Sequence, residues 1–98
     1  MDRVKTGWVY IMTNRYRGTL YVGVTSDIAA RVDQHRRGEG SAFCAQHGLT
    51  RLVWADQAGS MIEAIAHEKR PKRWRRAWKI ALIERANPTW DDLWERIL

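Results

Sequence analysis

The sequence has a single cysteine, Cys44, among its 98 residues, so it cannot form an internal disulfide. This excludes a disulfide-stapled secreted scaffold and fits a reducing, cytoplasmic environment. Three histidines without clustered cysteines also argue against a structural zinc site. The sequence patterns of a P-loop, a glycine-rich dinucleotide turn and a serine nucleophile elbow are missing as well. Nucleotide-dependent and serine-hydrolase functions are therefore not indicated.

Proline and long apolar runs are equally scarce. There are only two prolines, no Pro/Ser-rich linker and no internal repeat, so we expect one domain spanning residues 1–98. No stretch is apolar enough to span a bilayer, and Met1 to Thr6 lack the apolar run of a signal peptide. With 45% hydrophobic and 29% charged residues, the composition is typical of a globular protein. We expect a cytoplasmic domain without a membrane partner.

Acidic residues are outnumbered by basic ones, which gives a formal net charge of +6. Between Lys69 and Lys79 there are seven basic residues and no acidic one. Clustering of this kind favours a nucleic acid-binding surface, whereas a charge that serves only solubility is the alternative. The residues predicted to bind nucleic acid are Lys69, Arg70, Lys72, Arg73, Arg76, Arg36 and Arg37.

Two short segments near the N-terminus alternate as strands do. In Trp8–Met12 the period of two places Tyr10 on one face of the strand, and in Leu20–Val24 it places Tyr21 and Gly23 together. The polar connection between them predicts a β-hairpin. Gly23 leaves a gap beside Tyr21 that another group or a substrate could enter. A third strand is predicted over residues 51–56.

A helix follows the hairpin, with Ser26 or Thr25 as its N-cap and Gly38 at its end. Arg31 and His35 are four residues apart, so they share one face. That face adjoins the apolar stripe that packs on the sheet, which places a guanidinium and an imidazole near the two tyrosines. The alternative is a small aromatic core with a solvated arginine and histidine, and local geometry alone supports both interpretations equally.

These residues resemble the GIY-YIG nuclease domain, in particular its small single-domain (URI-type) members. The two signatures correspond to Trp8-Val9-Tyr10 and Tyr21-Val22-Gly23, although Trp8 stands where the first usually has glycine. Arg31 and His35 match the arginine and histidine of the first helix, and the similarity continues to Glu68. The resemblance implies an α/β (α+β) fold with a small three-stranded antiparallel sheet flanked by helices.

The resemblance also implies a set of functional residues. The catalytic group would be Tyr10, Tyr21, Arg31 and His35. Glu68 would hold a single Mg²⁺ or Mn²⁺ ion, a hard cation that prefers carboxylate and water oxygens. Glu63 on the same helix is its rival. Asn87 is a candidate accessory residue, although it serves equally well as a helix stop.

The predicted function is that of a metal-dependent endonuclease that hydrolyses phosphodiester bonds in DNA. Such a hydrolase would be structure-directed or weakly specific, as in DNA repair or recombination. The alternative is a nucleic acid-binding module that keeps the fold but has little or no turnover. DNA is favoured over RNA as the partner, and the protein is expected to be a monomer or a weak homodimer.

The C-terminal half is predicted to be helical. One helix would run from Met61 to Glu68 and the chain would break or kink at Pro71, with an apolar side formed by Met61, Ile62, Ile65 and Ala66. A second, over residues 72–86, would bury a stripe of Trp74, Ala77, Trp78, Ala81 and Leu82. A capping box over residues 89–92 would open a last helix with one apolar face of Trp90, Leu93, Trp94 and Ile97.

Overall fold

The computed structural model describes residues 6–97, so most of the segment Met1 to Thr6 lies outside the described residues. Three strands and five helices are found in this part of the chain. The strands are β1 (Gly7–Thr13), β2 (Leu20–Thr25) and β3 (Arg51–Ala58). The helices are α1 (Ile28–Arg36), α2 (Ala42–His47), α3 (Met61–Arg73), α4 (Arg76–Ala86) and α5 (Trp94–Ile97).

The three strands form one antiparallel sheet in the order β2-β1-β3. Tyr10 in the central strand pairs with Gly23 on one side and with Ala55 on the other. A β-bulge in the β1–β3 pair lies between Ile11 and Met12. The predicted α+β fold, with a small antiparallel sheet flanked by helices, is therefore confirmed.

Each face of the sheet has its own hydrophobic cluster, because successive strand residues point to opposite sides. On what we call the Val9 face, Val9 and Ile11 pack with Ala64 of α3 and Ile83 of α4. On the opposite face, the Tyr10 face, the buried cluster comprises Tyr10, Met12, Ile28, Val32, Cys44, Leu49 and Leu52. The candidate catalytic residues of β1 and α1 therefore belong to the Tyr10 face.

The start of α1 differs from the prediction by one or two residues. Its N-cap is Asp27, whose side chain accepts a hydrogen bond from the backbone N–H of Ala30 at 3.1 Å. Thr25 instead accepts from the backbone N–H of Asp27 at 3.1 Å, so it supports the cap rather than forming it. Gly38 follows the end of the helix with φ of +76°, as predicted.

The helix α3 continues through Pro71, so the predicted break before this residue is wrong. Pro71 lies in the last turn, and the helix ends two residues later at Arg73. A proline at this point removes one backbone hydrogen bond near an end that is about to fray. Its ring is buried, which offsets part of that loss. The extended residue Trp74 then separates α3 from α4.

The predicted apolar stripes of these two helices are also wrong. In α3, Ile62 and Ile65 are exposed, whereas Ala64 faces the sheet. In α4, Trp78 is 58% exposed and Ile83 is the buried residue. Of the predicted α4 stripe, Leu82 does pack against the Val9-face cluster, whereas Ala77, Trp78 and Ala81 face solvent. Trp74 lies before the start of α4, so it is not on the same helix as the other four.

The C-terminal segment docks on the domain, but not as one helix from residue 89. Trp90 has φ of +58° and is fully buried on the Val9 face, whereas Leu93, Trp94 and Ile97 pack against the Tyr10-face cluster. The expected single apolar face therefore does not include Trp90. Asp92 accepts a hydrogen bond from the backbone N–H of Trp94 at 3.1 Å, close to the start of the short helix α5.

Candidate nuclease site

The centre of the site is a hydrogen-bonded chain of three side chains from β1 and α1. The Tyr10 hydroxyl lies 2.8 Å from Nε2 of His35. Arg31 Nε donates to the same hydroxyl at 3.4 Å, and Arg31 Nη1 donates to Oε1 of Gln34 at 3.2 Å. The helical spacing of four residues brings Arg31 and His35 to one face of α1, directly over the Tyr10 face of the sheet. The predicted proximity of these groups is confirmed.

Burial sets the protonation states of this chain. Removal from water raises the pKa of Tyr10 to about 12, because it disfavours the phenolate more than the Arg31 hydrogen bond favours it. Burial, and then the positive charge of Arg31, lower the pKa of His35 to about 4. At neutral pH both side chains are therefore neutral, and Arg31 carries the only charge of the three.

Tyr21 completes the cluster from the neighbouring strand. Its ring centroid is 6.3 Å from that of Tyr10 and 5.5 Å from that of His35. Tyr10 and His35 are almost wholly buried, whereas Tyr21 and Arg31 are half-buried. Solvent therefore reaches this cluster at Tyr21 and Arg31, and a substrate would meet these two side chains first.

Two glycines make room for the buried pair. A Cβ atom on Gly23 would lie 2.5 Å from Cζ and from the hydroxyl oxygen of Tyr10. The gap expected beside Tyr21 is therefore filled by the Tyr10 ring. A Cβ atom on Gly40 would lie 2.5 Å from Nδ1 of His35. Both distances are too short for any side chain, so the positions of the phenol and the imidazole depend on these glycines.

Glu68, the predicted metal ligand, lies on α3, which packs on the Val9 face. It follows the buried Ala64 by one helical turn, and its side chain is only 13% exposed. Its carboxylate lies 3.4 Å from Nζ of Lys72. Within residues 6–97, no hydrogen bond or ion pair joins it to Tyr10, Tyr21, Arg31 or His35. Its role as the metal ligand therefore stays a prediction.

The donor set for a metal ion is correspondingly small. The rival carboxylate Glu63 is exposed and accepts from the backbone N–H of Gly59, and its own N–H donates to the N-cap Ser60. This local role leaves Glu68 as the candidate ligand. No group of three His, Cys, Asp or Glu side chains able to hold a metal ion occurs in the described residues. One carboxylate suits Mg²⁺, which keeps several waters and binds together with substrate phosphates.

Asn87, the candidate accessory residue, is buried at the C-cap of α4. Its side-chain amide donates to the carbonyls of Val53 at 3.0 Å and Asp91 at 2.9 Å, and its oxygen accepts from the N–H of Asp91 at 3.0 Å. These bonds hold the turn after α4 against β3. They account for Asn87 as a helix stop, and its accessory role in the site stays a prediction.

The predicted nucleic acid-binding residues do not form one patch. Arg36 pairs with Asp92 at 2.8 Å, and Arg37 pairs with Asp33 and Glu39 at the end of α1. The remaining five lie in the second half of α3 and at the start of α4. Arg76 donates there to the backbone carbonyl of Arg17, and Lys72 is the partner of Glu68. The basic surface is therefore strongest around the junction of α3 and α4.

Several residues of the site were not singled out by the sequence. Phe43 is 42% exposed and stacks on Tyr21 with centroids 6.3 Å apart, and His47 lies against Phe43 at 4.5 Å. An aromatic residue among the small and polar residues of the 39–50 segment was the available signal for Phe43. Gly40 and Gln34 carried no signal, because their importance depends on where α1 places His35 and Arg31.

Comparisons with known proteins agree with this arrangement. The GIY-YIG catalytic domain family matches residues 6–81. A UPF0213 protein of Sodalis glossinidius is 36% identical over 84 residues, which cover 83% of this chain and 78% of the relative. One of Cronobacter sakazakii is 39% identical over 64 residues (65% and 67%), and one of Staphylococcus aureus is 33% identical over 67 residues (68% and 82%). No solved structure matches. None of the helices within residues 6–97 has the length and apolar character needed to cross a bilayer.

Proposed function

Because this chain belongs to the GIY-YIG catalytic domain family, which is nuclease-type and acts on nucleic acid, we propose that it is a divalent metal-dependent endonuclease. Its substrate is DNA rather than RNA, cleaved with weak or structure-directed specificity, as repair or recombination would require. The observation that carries the proposal is the hydrogen-bonded chain from Arg31 through Tyr10 to His35, with Tyr21 beside it. A binding surface alone would need only the cations.

Arg31 is the group that receives the scissile phosphate. Its guanidinium is half-buried and is held from behind by Tyr10 and from the side by Gln34. A guanidinium fixed in this way offers its remaining N–H groups in a planar fork that matches two phosphate oxygens. Fixed donors of this kind stabilise the charge that develops on those oxygens during attack.

Tyr21, Tyr10 and His35 then handle the attacking water. Tyr21 orients the water, because its side chain is the solvent-accessible phenol of the cluster. Tyr10 accepts the water's proton while it passes its own proton to Nε2 of His35, which is 2.8 Å away. The water oxygen bonds to phosphorus as the P–O bond to the leaving strand breaks, and the departing oxygen takes up a proton from solvent. Burial, and then the charge of Arg31, lower the pKa of His35 and make it a weak base. A bound phosphate would offset the second of these causes by neutralising Arg31.

Glu68 supplies the ligand for Mg²⁺ or Mn²⁺. The ion would act as a Lewis acid on the phosphate when it is bound. The Lys72 ammonium holds the carboxylate in place in the free protein. Because a single carboxylate is a weak site, we expect the ion to bind tightly only together with the nucleic acid.

Glu68→Gln tests this proposal, and Glu63→Gln is its matched control on the same helix. A screen of labelled DNA and RNA structures in Mg²⁺ and Mn²⁺ should show cleavage by the parent and by Glu63→Gln, since a glutamine at this position still supports a capping box. Glu68→Gln should lose cleavage by orders of magnitude but keep its affinity, because it removes a negative charge. No cleavage by the parent on any substrate would favour the binding module instead.

A further inference from the structure

The exposed Trp78 and the half-buried Trp74 beside it point to a second nucleic acid-binding surface, on which we propose that unpaired bases of a strand stack. The two rings meet edge to face, with centroids 6.2 Å apart, and Trp78 is 58% exposed. A groove along α4, which we call the tryptophan patch, is lined by Trp74, Trp78, Ala81, Leu82 and Arg85. Exposed apolar patches with a polar rim mark interaction sites, and tryptophan side chains are on average highly buried.

The groove does not end at Trp74. That residue and Leu82 also line a neighbouring depression, which is completed by Val9, Trp54, Asp56, His67, Arg70 and Pro71. The aromatic surface therefore extends from α4 across the α3–α4 junction. A chain of several nucleotides has room to lie along this length, whereas a single flat contact would not need it.

The positive charge around the tryptophan patch indicates which kind of ligand it binds. Within residues 6–97, seven cations on α3 and α4 and at their junction are in no ion pair: Lys69, Arg70, Arg73, Arg75, Arg76, Lys79 and Arg85. A second copy of this chain would bring those like charges together, so the patch is poorly suited to self-association. A positively charged track beside an open aromatic face is the arrangement with which proteins hold single strands, because the cations follow the phosphates and the rings accept any base.

The patch is separate from the nuclease site. Leu82 packs with the Val9-face cluster, whereas Tyr10 and His35 lie on the opposite side of the sheet. A strand on the tryptophan patch would therefore not occupy the site at Arg31. It would hold a substrate by an unpaired segment away from the bond that is cut. The inference rests on the proposed function only for the class of ligand.

Binding of a fluorescent 20-nucleotide oligothymidylate, measured without divalent ions, tests whether the tryptophan patch holds a single strand. Trp78→Ala should weaken binding roughly 5- to 150-fold, which is the range for losing one stacked base. Trp78→Phe should restore most of the affinity, since a smaller ring still stacks. Ile62→Ala is the control, because this side chain is 81% exposed on α3 and lines neither depression. Circular dichroism verifies that each variant is folded.

Two further measurements separate base stacking from electrostatic attraction to the phosphates. Arg85→Gln should reduce the slope of log affinity against log salt by about 0.7, the value for one phosphate of a single strand. Trp78→Ala should leave binding to a blunt duplex almost unchanged. Equal oligothymidylate affinities for Trp78→Ala and the parent would overturn the inference. So would an equal loss on the duplex, or a dimer that Trp78→Ala dissociates while oligothymidylate binding is unaltered.

The test is independent of catalysis. The titration contains no divalent ion, so its result does not depend on cleavage at the Arg31 site. A parent that binds through Trp78 but cleaves nothing would count against the proposed nuclease function and leave the patch intact. A parent that cleaves but is insensitive to Trp78→Ala would do the reverse.

Discussion

Because of His35, the free energy of unfolding should fall as the pH is lowered through the window between the two pKa values of this side chain. Its imidazole is 1% exposed, lies against the tyrosine hydroxyl, and has its pKa lowered to about 4 by burial and by Arg31. In the unfolded chain the same group has a pKa of about 6.5. Between these values the unfolded state binds more protons than the folded state, so stability rises with pH and is lost on acidification.

The size of the effect follows from the two pKa values. At about 1.4 kcal/mol for each pKa unit, the complete loss is about 3 kcal/mol, and roughly 2.5 kcal/mol of it falls between pH 7.5 and pH 4.5. For a domain of this size that is a large part of the total free energy of unfolding. Nδ1 of His35 has no hydrogen-bond partner among the described residues, so no neighbouring acceptor there reduces the penalty of charging the ring.

Urea unfolding of the parent and of His35→Gln at several pH values between 7.5 and 4.5 measures this loss. Glutamine keeps a polar group near Tyr10 but does not titrate. We expect the parent to lose about 2 kcal/mol more than His35→Gln over this range. His67→Gln, which changes an exposed histidine, should follow the parent. Parallel curves for the parent and His35→Gln would refute the assignment of His35 as a buried neutral base.

Three other predictions test neighbouring groups. Arg31→Lys keeps the charge but loses the planar fork, so cleavage should fall at least tenfold while DNA binding changes little. Arg37→Lys is the control, and equal cleavage by both variants would make Arg31 an ordinary surface cation. Gly23→Ala places a methyl group 2.5 Å from the Tyr10 hydroxyl oxygen, so thermal unfolding should show a free energy of unfolding lower by about 1–3 kcal/mol, together with weaker cleavage. Gly59→Ala is the control, because its methyl group meets only the flexible Glu63 carboxylate and should destabilise little. Equal effects of the two changes would contradict the steric argument. The pKa of Glu84 is lowered to about 2 by hydrogen bonds from Arg17 and then Trp90. Its stabilising contribution is present above its usual pKa of 4.5 and should be lost as the pH falls toward 2. Acid titration of Glu84→Gln should lack this loss, and that of Glu95→Gln should retain it.

The sequence predicted the N-terminal half of the fold well because its signals are local. Strand alternation fixed the faces of Tyr10 and Tyr21, and the four-residue spacing fixed the common face of Arg31 and His35. Both periodicities depend on backbone geometry alone. The charge states of the cluster were not predictable in the same way. Burial of Tyr10 and His35 comes from α2, β3 and α5, which pack around them only in the folded domain.

In the C-terminal half the apolar pattern was ambiguous. Ala77, Trp78, Ala81 and Leu82 all lie within α4, but only Leu82 packs on the core, and the buried residue is its neighbour Ile83. Pro71 was a genuine signal for a break, but the break lies three residues later. The error hid an exposed tryptophan inside a predicted core stripe.

The cations at the end of α1 differ from those around α3 and α4 in whether they are paired with carboxylates. At the end of α1, Arg36 and Arg37 are neutralised by Asp92, Asp33 and Glu39, so the surface near the nuclease site attracts phosphates mainly through Arg31. The unpaired cations lie instead around α3 and α4. If both proposals hold, binding and cleavage depend on different residues, so Trp78→Ala should weaken binding of unpaired strands without removing the cleavage chemistry, and Arg31→Lys should do the reverse.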